Sequence, residues 1–245
     1  MIDGLTRRRP AFLASVTSAD EASLALAGGA DVIDCKDPSA GALGALPHAV
    51  VREVAACVAG RLLVSATVGD LPPEPDVLVE AASAMARTGI DIVKIGFFGD
   101  GDARPAIAAL GQTKYARARL VAVLMADQTP DYELIPYLAA HGFAGVMLDT
   151  ATKTGGRLTT MLPAGGLSRF VSLARSSNLM CGLAGSLRME DIAGLASLDP
   201  DVLGFRGALC ETGRASKLDP TRVAAIRLEI GRAQNADPAR EKSVA

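Results

Sequence analysis

Lysine is scarce in this chain, with six copies against nineteen arginines in 245 residues. Three of the six, Lys36, Lys94 and Lys153, fall at or just beyond the ends of apolar, β-rich runs. Amine chemistry requires lysine, because a guanidinium does not give up its proton in a protein. Lysines crowded into a partly buried mouth would depress one another's pKa and leave an amine able to attack a carbonyl. Each lysine alone could equally be half of a salt bridge; three at strand ends favour function.

Two carboxylates accompany them. In Val32-Ile-Asp-Cys-Lys36, alternation along a strand puts Asp34 and Lys36 on one face and Cys35 on the other. Asp149 ends the run Gly145-Val-Met-Leu-Asp149, with Lys153 in the following loop, an arrangement suited to proton transfer or to orienting the lysine. Phosphate is indicated near the C-terminus: Gly185-Ser186 precedes a short helical segment, and Gly204-Phe-Arg206-Gly207 follows the last apolar run. Backbone amides in such turns hold phosphate, and Arg206 could add a charge-assisted contact. The Gly-rich stretch 39–45 is a weaker candidate for a second anion. His48 reads as a surface or capping residue and His141 as structural, so neither a His-based triad nor a zinc site is expected.

The elements that must position these groups recur regularly. Eight β-rich runs lie at 12–16, 32–36, 62–67, 92–97, 120–125, 145–149, 180–184 and 202–205, separated by Ala-rich amphipathic segments. Apolar strands alternating with helices imply a parallel sheet covered on its outside. Eight such units in a chain of this length point to a single-domain α/β fold, a (β/α)8 TIM barrel over residues 1–234. A doubly wound open sheet is the alternative, but no Gly-x-Gly-x-x-Gly follows the first strand. The active site is then expected at the C-terminal ends of the strands, where the lysines, the two aspartates and the glycine turns fall. Residues 235–245 read as a polar, disordered tail.

The chain is 49% hydrophobic with a net charge of -2, which argues against nucleic acid as a partner. No apolar run approaches the ~20 residues of a membrane span. The arginine run 7–9 precedes an apolar stretch too short for a signal peptide. Four cysteines without metal-type spacing read as reduced thiols, and the expected location is cytoplasmic.

Taken together, Gly28-Gly-Ala-Asp-Val-Ile-Asp-Cys-Lys-Asp-Pro38, Ser39-Ala-Gly-Ala-Leu-Gly-Ala45, Val64-Ser-Ala-Thr-Val-Gly-Asp70, Met147-Leu-Asp-Thr-Ala-Thr-Lys153, Leu183-Ala-Gly-Ser-Leu187 and Gly204-Phe-Arg-Gly-Ala208 resemble the (5-formylfuran-3-yl)methyl phosphate synthase family. The resemblance runs from about Phe12 to Cys210. It implies a barrel enzyme of the carbon–oxygen lyase class acting on phosphates (EC 4.2.3 type), serving one-carbon metabolism through methanofuran or methylofuran biosynthesis. It further implies condensation of two molecules of glyceraldehyde 3-phosphate with no metal or organic cofactor. By the same resemblance Lys36 matches the Schiff-base lysine and Lys94 the proton-accepting lysine, while Asp34, Asp149 and Lys153 match further active-site positions. The segment around Thr17 and the stretch 124–129 match loosely. Barrels of this type often assemble, so a homo-oligomer is expected. Two other functions fit the same residues: a class I aldolase acting on another sugar phosphate, and a non-catalytic barrel that binds a phosphometabolite.

Overall fold

In the computed structural model, residues 2, 10–98, 101–152 and 155–235 are described; the arginine run 7–9, Lys153 and the tail 236–245 lie outside them. The chain alternates strand and helix throughout: β1 (Ala11–Val16), α1 (Ala19–Ala27), β2 (Val32–Cys35), α2 (His48–Val58), β3 (Leu63–Thr67), α3 (Pro75–Ala86), β4 (Ile92–Phe97), α4 (Arg104–Gln112), β5 (Arg119–Met125), α5 (Leu134–Ala140), β6 (Gly145–Asp149), α6 (Leu158–Met161), α7 (Ala164–Ser176), β7 (Met180–Leu183), α8 (Ile192–Ala196), β8 (Val202–Phe205) and α9 (Pro220–Asn235). The eight strands pair in parallel and in order, and β8 returns to β1, closing a (β/α)8 barrel. Asn235, expected in the tail, is the last residue of α9.

Closure sorts each strand into two faces. Phe12, Ile33, Cys35, Val93, Ile95, Val146, Leu148 and Leu203 face outward and pack under the helices in one buried apolar cluster. Leu13, Val32, Ile92, Val121, Val123 and Met147 face the axis in a second, smaller cluster. The strands are buried on both faces, which is why they read as unbroken apolar runs. The buried charged or hydroxyl side chains of the axial face lie in the middle or C-terminal part of the strands: Ser15, Asp34, Ser65, Thr67, Lys94 and Asp149, with Lys36 one residue past β2.

The starts of α1 and α3 have local causes. The Ser18 side chain accepts from the Glu21 N–H at the start of α1, and α3 begins with Pro75, whose missing N–H costs nothing there. The short helical segment expected after Gly185-Ser186 begins as a tighter turn. A 3-10 turn occupies Met189–Asp191, held by the Asp191 carboxylate on the Arg188 N–H, and α8 proper covers five residues. The described residues include no helix long and apolar enough to cross a membrane.

Candidate active site

Asp34 is fully buried at the end of β2. The register sets Ser15 of β1 and Ser65 of β3 beside it on either side. Ser15 Oγ donates to its Oδ2 at 2.9 Å and Ser65 Oγ to its Oδ1 at 2.6 Å. Lys94 of β4 completes the set with its Nζ 2.8 Å from Asp34 Oδ1. Both hydroxyls occupy strand positions where an apolar residue would be expected.

The second pair spans the barrel. Lys36 Nζ lies 2.8 Å from Asp149 Oδ2, across from β2 to the end of β6. The other carboxylate oxygen of Asp149 accepts the Thr150 N–H at 2.7 Å. The four charged side chains form two crossed ion pairs, Lys36 with Asp149 and Lys94 with Asp34. Each ammonium therefore rests on a carboxylate of its own, where the sequence suggested lysines crowded against one another. Lys36 and Lys94 are 8% and 5% exposed, and two buried ion pairs are weak contributors to stability, because desolvation offsets their attraction. Their position in a cleft points instead to chemistry.

That cleft is a cavity of about 750 Å³ at the C-terminal mouth, with Lys36, Lys94, Asp34 and Asp149 on its floor. The turns after β7 and β8 form one wall, lined by Gly185, Ser186, Gly207 and Ala208. The backbone N–H groups of these four residues have no acceptor among the described residues. Gly185 has a φ of +108°, and a Cβ there would lie 2.9 Å from Thr150 Cγ2, so the turn demands glycine twice over. Ser186 follows in the left-handed region with a φ of +51°, a conformation serine adopts at a cost and one that concentrates at functional sites.

Arg206 lines the same wall, but its donors point into the protein. Nε donates to Arg214 O, Nη1 to Ser15 O and to Glu21, and Nη2 to Glu21 and to Ser216 O. Burial disfavours the ionised Glu21, yet hydrogen bonds from Arg206 and Thr17 outweigh it and hold the carboxyl below its ordinary range. All five guanidinium hydrogens are thus engaged within the chain. Arg206 buttresses the loop that follows β8, where Cys210 and Leu218 form an antiparallel bridge and Arg214 sits at the tip. Arg214 reaches over the mouth and donates to Gly41 O at 3.1 Å. It lines the cavity, and nothing in its local sequence distinguishes it.

The Gly-rich stretch after β2, suggested as a second anion site, already has its anion. Asp70 accepts the N–H groups of Ala42 and Leu43, both at 2.7 Å. Gly41, at φ +115°, lets the carboxylate approach; a Cβ there would collide with it. A similar clamp was missed after β5. Asp127 accepts the Ala151 and Thr152 N–H groups at 2.7 Å each and so anchors the loop leading to Lys153. Burial opposes the charge on Asp127, but these amides keep its carboxyl below the ordinary range.

The remaining candidates are structural. His48 is exposed at the start of α2, and His141 Nδ1 lies 2.8 Å from Tyr137 O at the end of α5. Cys35 and Cys181 face the outer core, where burial pushes both thiols far above their ordinary range.

Known proteins are similar to this chain at two levels. Solved barrels share the fold alone: phosphoribosyl anthranilate isomerase from Thermus thermophilus has a TM-score of 0.65 at 14% identity, covering 91% of this chain and 98% of its own. Sequence relatives are nearer. A Methylorubrum extorquens protein provisionally named (5-formylfuran-3-yl)methyl phosphate synthase is 45% identical over 224 residues, covering 91% of this chain and 92% of its own. The (5-formylfuran-3-yl)methyl phosphate synthases of Methanopyrus kandleri and Methanosarcina mazei are 38% and 36% identical, each covering 84% of this chain and 91% and 93% of their own. The sequence pattern of 4-HFC-P synthase matches residues 12–227, and the chain belongs to that family of synthases.

Proposed function

We infer that this enzyme condenses two molecules of glyceraldehyde 3-phosphate through an imine on Lys36 to give (5-formylfuran-3-yl)methyl phosphate, a precursor of methanofuran-type carriers. The observation that carries this reading is the pair of crossed, buried lysine–aspartate contacts on the floor of one cavity. Free backbone amides on the wall above suit a phosphorylated substrate.

In this reading one triose phosphate, held as its ketone form, places its carbonyl at Lys36. Asp149 accepts a proton from the ammonium, and the neutral amine attacks the carbonyl carbon and then expels water. The iminium draws electrons from the neighbouring carbon; Asp34 takes a proton from the Lys94 ammonium, and the neutral Lys94 amine then removes the proton from that carbon. The resulting enamine attacks the aldehyde of the second triose phosphate and forms the carbon–carbon bond. Ring closure and eliminations follow. Overall the two trioses lose one phosphate and two waters, and the atoms balance without any oxidant or reductant. Gly185, Ser186 and Gly207 receive the phosphate of the imine-bound triose through their N–H groups, and Arg206 holds that wall in shape from behind.

The test is incubation with glyceraldehyde 3-phosphate, followed by an ultraviolet scan and by borohydride trapping with peptide mass spectrometry. The reading expects a furan aldehyde band together with a reduced adduct on the Lys36 peptide. Lys36→Arg keeps the charge and removes the nucleophile, and should lower turnover by at least about 10³-fold. An adduct without the band would indicate an aldolase, and neither signal would indicate a binding protein.

A further inference from the structure

Two phosphorylated substrates in one cavity require two anion-binding loci, and only one is supplied by the amides after β7 and β8. This inference rests on the two-triose reading above. The Gly-rich stretch after β2, where a second locus was expected, has its Ala42 and Leu43 amides taken by Asp70. Arg206, expected beside the first locus, has its donors taken by Glu21 and by backbone carbonyls. Other guanidinium groups at the rim are committed elsewhere. Arg157 pairs with Glu190 and Asp191, Arg222 with Asp219, and Arg188 lies mostly in solvent beside Glu190.

Arg214 differs from all of these. Its side chain is half-buried, lines the cavity and, among the described residues, makes one hydrogen bond, at 3.1 Å to Gly41 O. One donation leaves four of its five hydrogens available to a ligand. Its position is fixed from below, because Arg206 donates to both Arg214 O and Ser216 O, while Leu218 N–H donates to Glu21. Further hydrogen bonds tie the hairpin to itself, from Thr212 N–H to Ser216 Oγ and from Glu211 N–H to Lys217 O. A forked cation on a rigid loop, spanning from the end of β8 to the loop after β2, lies across the entrance above Lys36. We propose that Arg214 binds the phosphate of the second, acceptor triose and so aligns its aldehyde over the enamine formed at Lys36.

The substrate class is a short phosphorylated aldehyde, recognised by a bidentate guanidinium–phosphate contact. Since the acceptor enters after the imine has formed, loss of this contact should spare the first half of the reaction and impair the second. The experiment uses the intact enzyme with Arg214→Met and Arg214→Lys. Borohydride trapping on Lys36 and furan aldehyde formation are each followed as a function of glyceraldehyde 3-phosphate concentration, and thermal unfolding is compared with the parent. For Arg214→Met the expected result is trapping within about twofold of the parent and furan formation about 10- to 100-fold slower at limiting substrate, with the concentration for half-maximal rate raised. Arg214→Lys should recover part of the loss. Furan formation unchanged in Arg214→Met would overturn the assignment, as would trapping and furan formation falling together. A parent enzyme that gives neither signal would instead overturn the two-triose reading itself.

Discussion

Lys36 Nζ and Asp149 Oδ2 are 2.8 Å apart although 113 residues separate them, and both side chains are nearly excluded from water. The contact exists only because closure brings the ends of β2 and β6 to a common mouth. It fixes the Lys36 amine in place, and in the proposed reaction it sets Asp149 beside that amine as proton acceptor before substrate arrives.

A double-mutant cycle on this pair should show strong coupling. Asp149→Asn leaves a buried ammonium without its countercharge and should cost about 3–5 kcal/mol in urea unfolding, whereas Lys36→Met with Asp149→Leu should recover most of that loss. Additive effects would mean that the two groups do not depend on one another.

The loop after β2 should loosen when its internal anion is removed. Asp70→Ala strands the N–H groups of Ala42 and Leu43 and should cost about 1–2 kcal/mol, with faster hydrogen exchange confined to those amides. Exchange at Ala42 and Leu43 as slow as in the parent would show that other contacts hold the loop.

Acid should weaken the buttress behind the β8 wall. The Glu21 carboxyl titrates below its ordinary value of 4.5 in the folded chain, so its contribution is complete above about pH 4.5 and fades as pH falls toward the folded pKa. Urea midpoints of the parent should therefore drop from about pH 4.5 downward. Glu21→Gln, which starts lower, should drop less over the same range, and parallel curves would place the acid sensitivity elsewhere. Asp37 and Asp127, whose carboxyls are also held low, will contribute in the same direction.

The barrel was readable because strands buried on both faces must be apolar throughout, so a lysine or aspartate within one stands out. Lys36, Lys94, Asp34 and Asp149 were found in this way, and the two faces of β2 fell as alternation requires. What pairs with what was not readable. The contact of Lys36 with Asp149 follows from barrel register and closure, which no local pattern records; Lys153, read beside Asp149 in the sequence, lies outside the described residues. Arg206 shows the same limit: at a strand end a guanidinium reads alike whether its donors face a ligand or its own loop. Asp70 and Asp127 escaped notice because each caps amides 24–28 residues away in an adjacent loop.

The spacing of the two ion pairs along the chain bears on how the molecule assembles during synthesis. Asp34 finds Lys94 within the first four strands, so that contact is available to an N-terminal half-barrel. Lys36 has no such early partner. Until β6 emerges, its ammonium faces a forming interior with its countercharge still unmade, and any compact half-barrel carries that penalty. Residues 10–98 expressed alone should therefore stay loosely collapsed, and the arrival of Asp149 marks the point at which a closed interior becomes electrically tolerable.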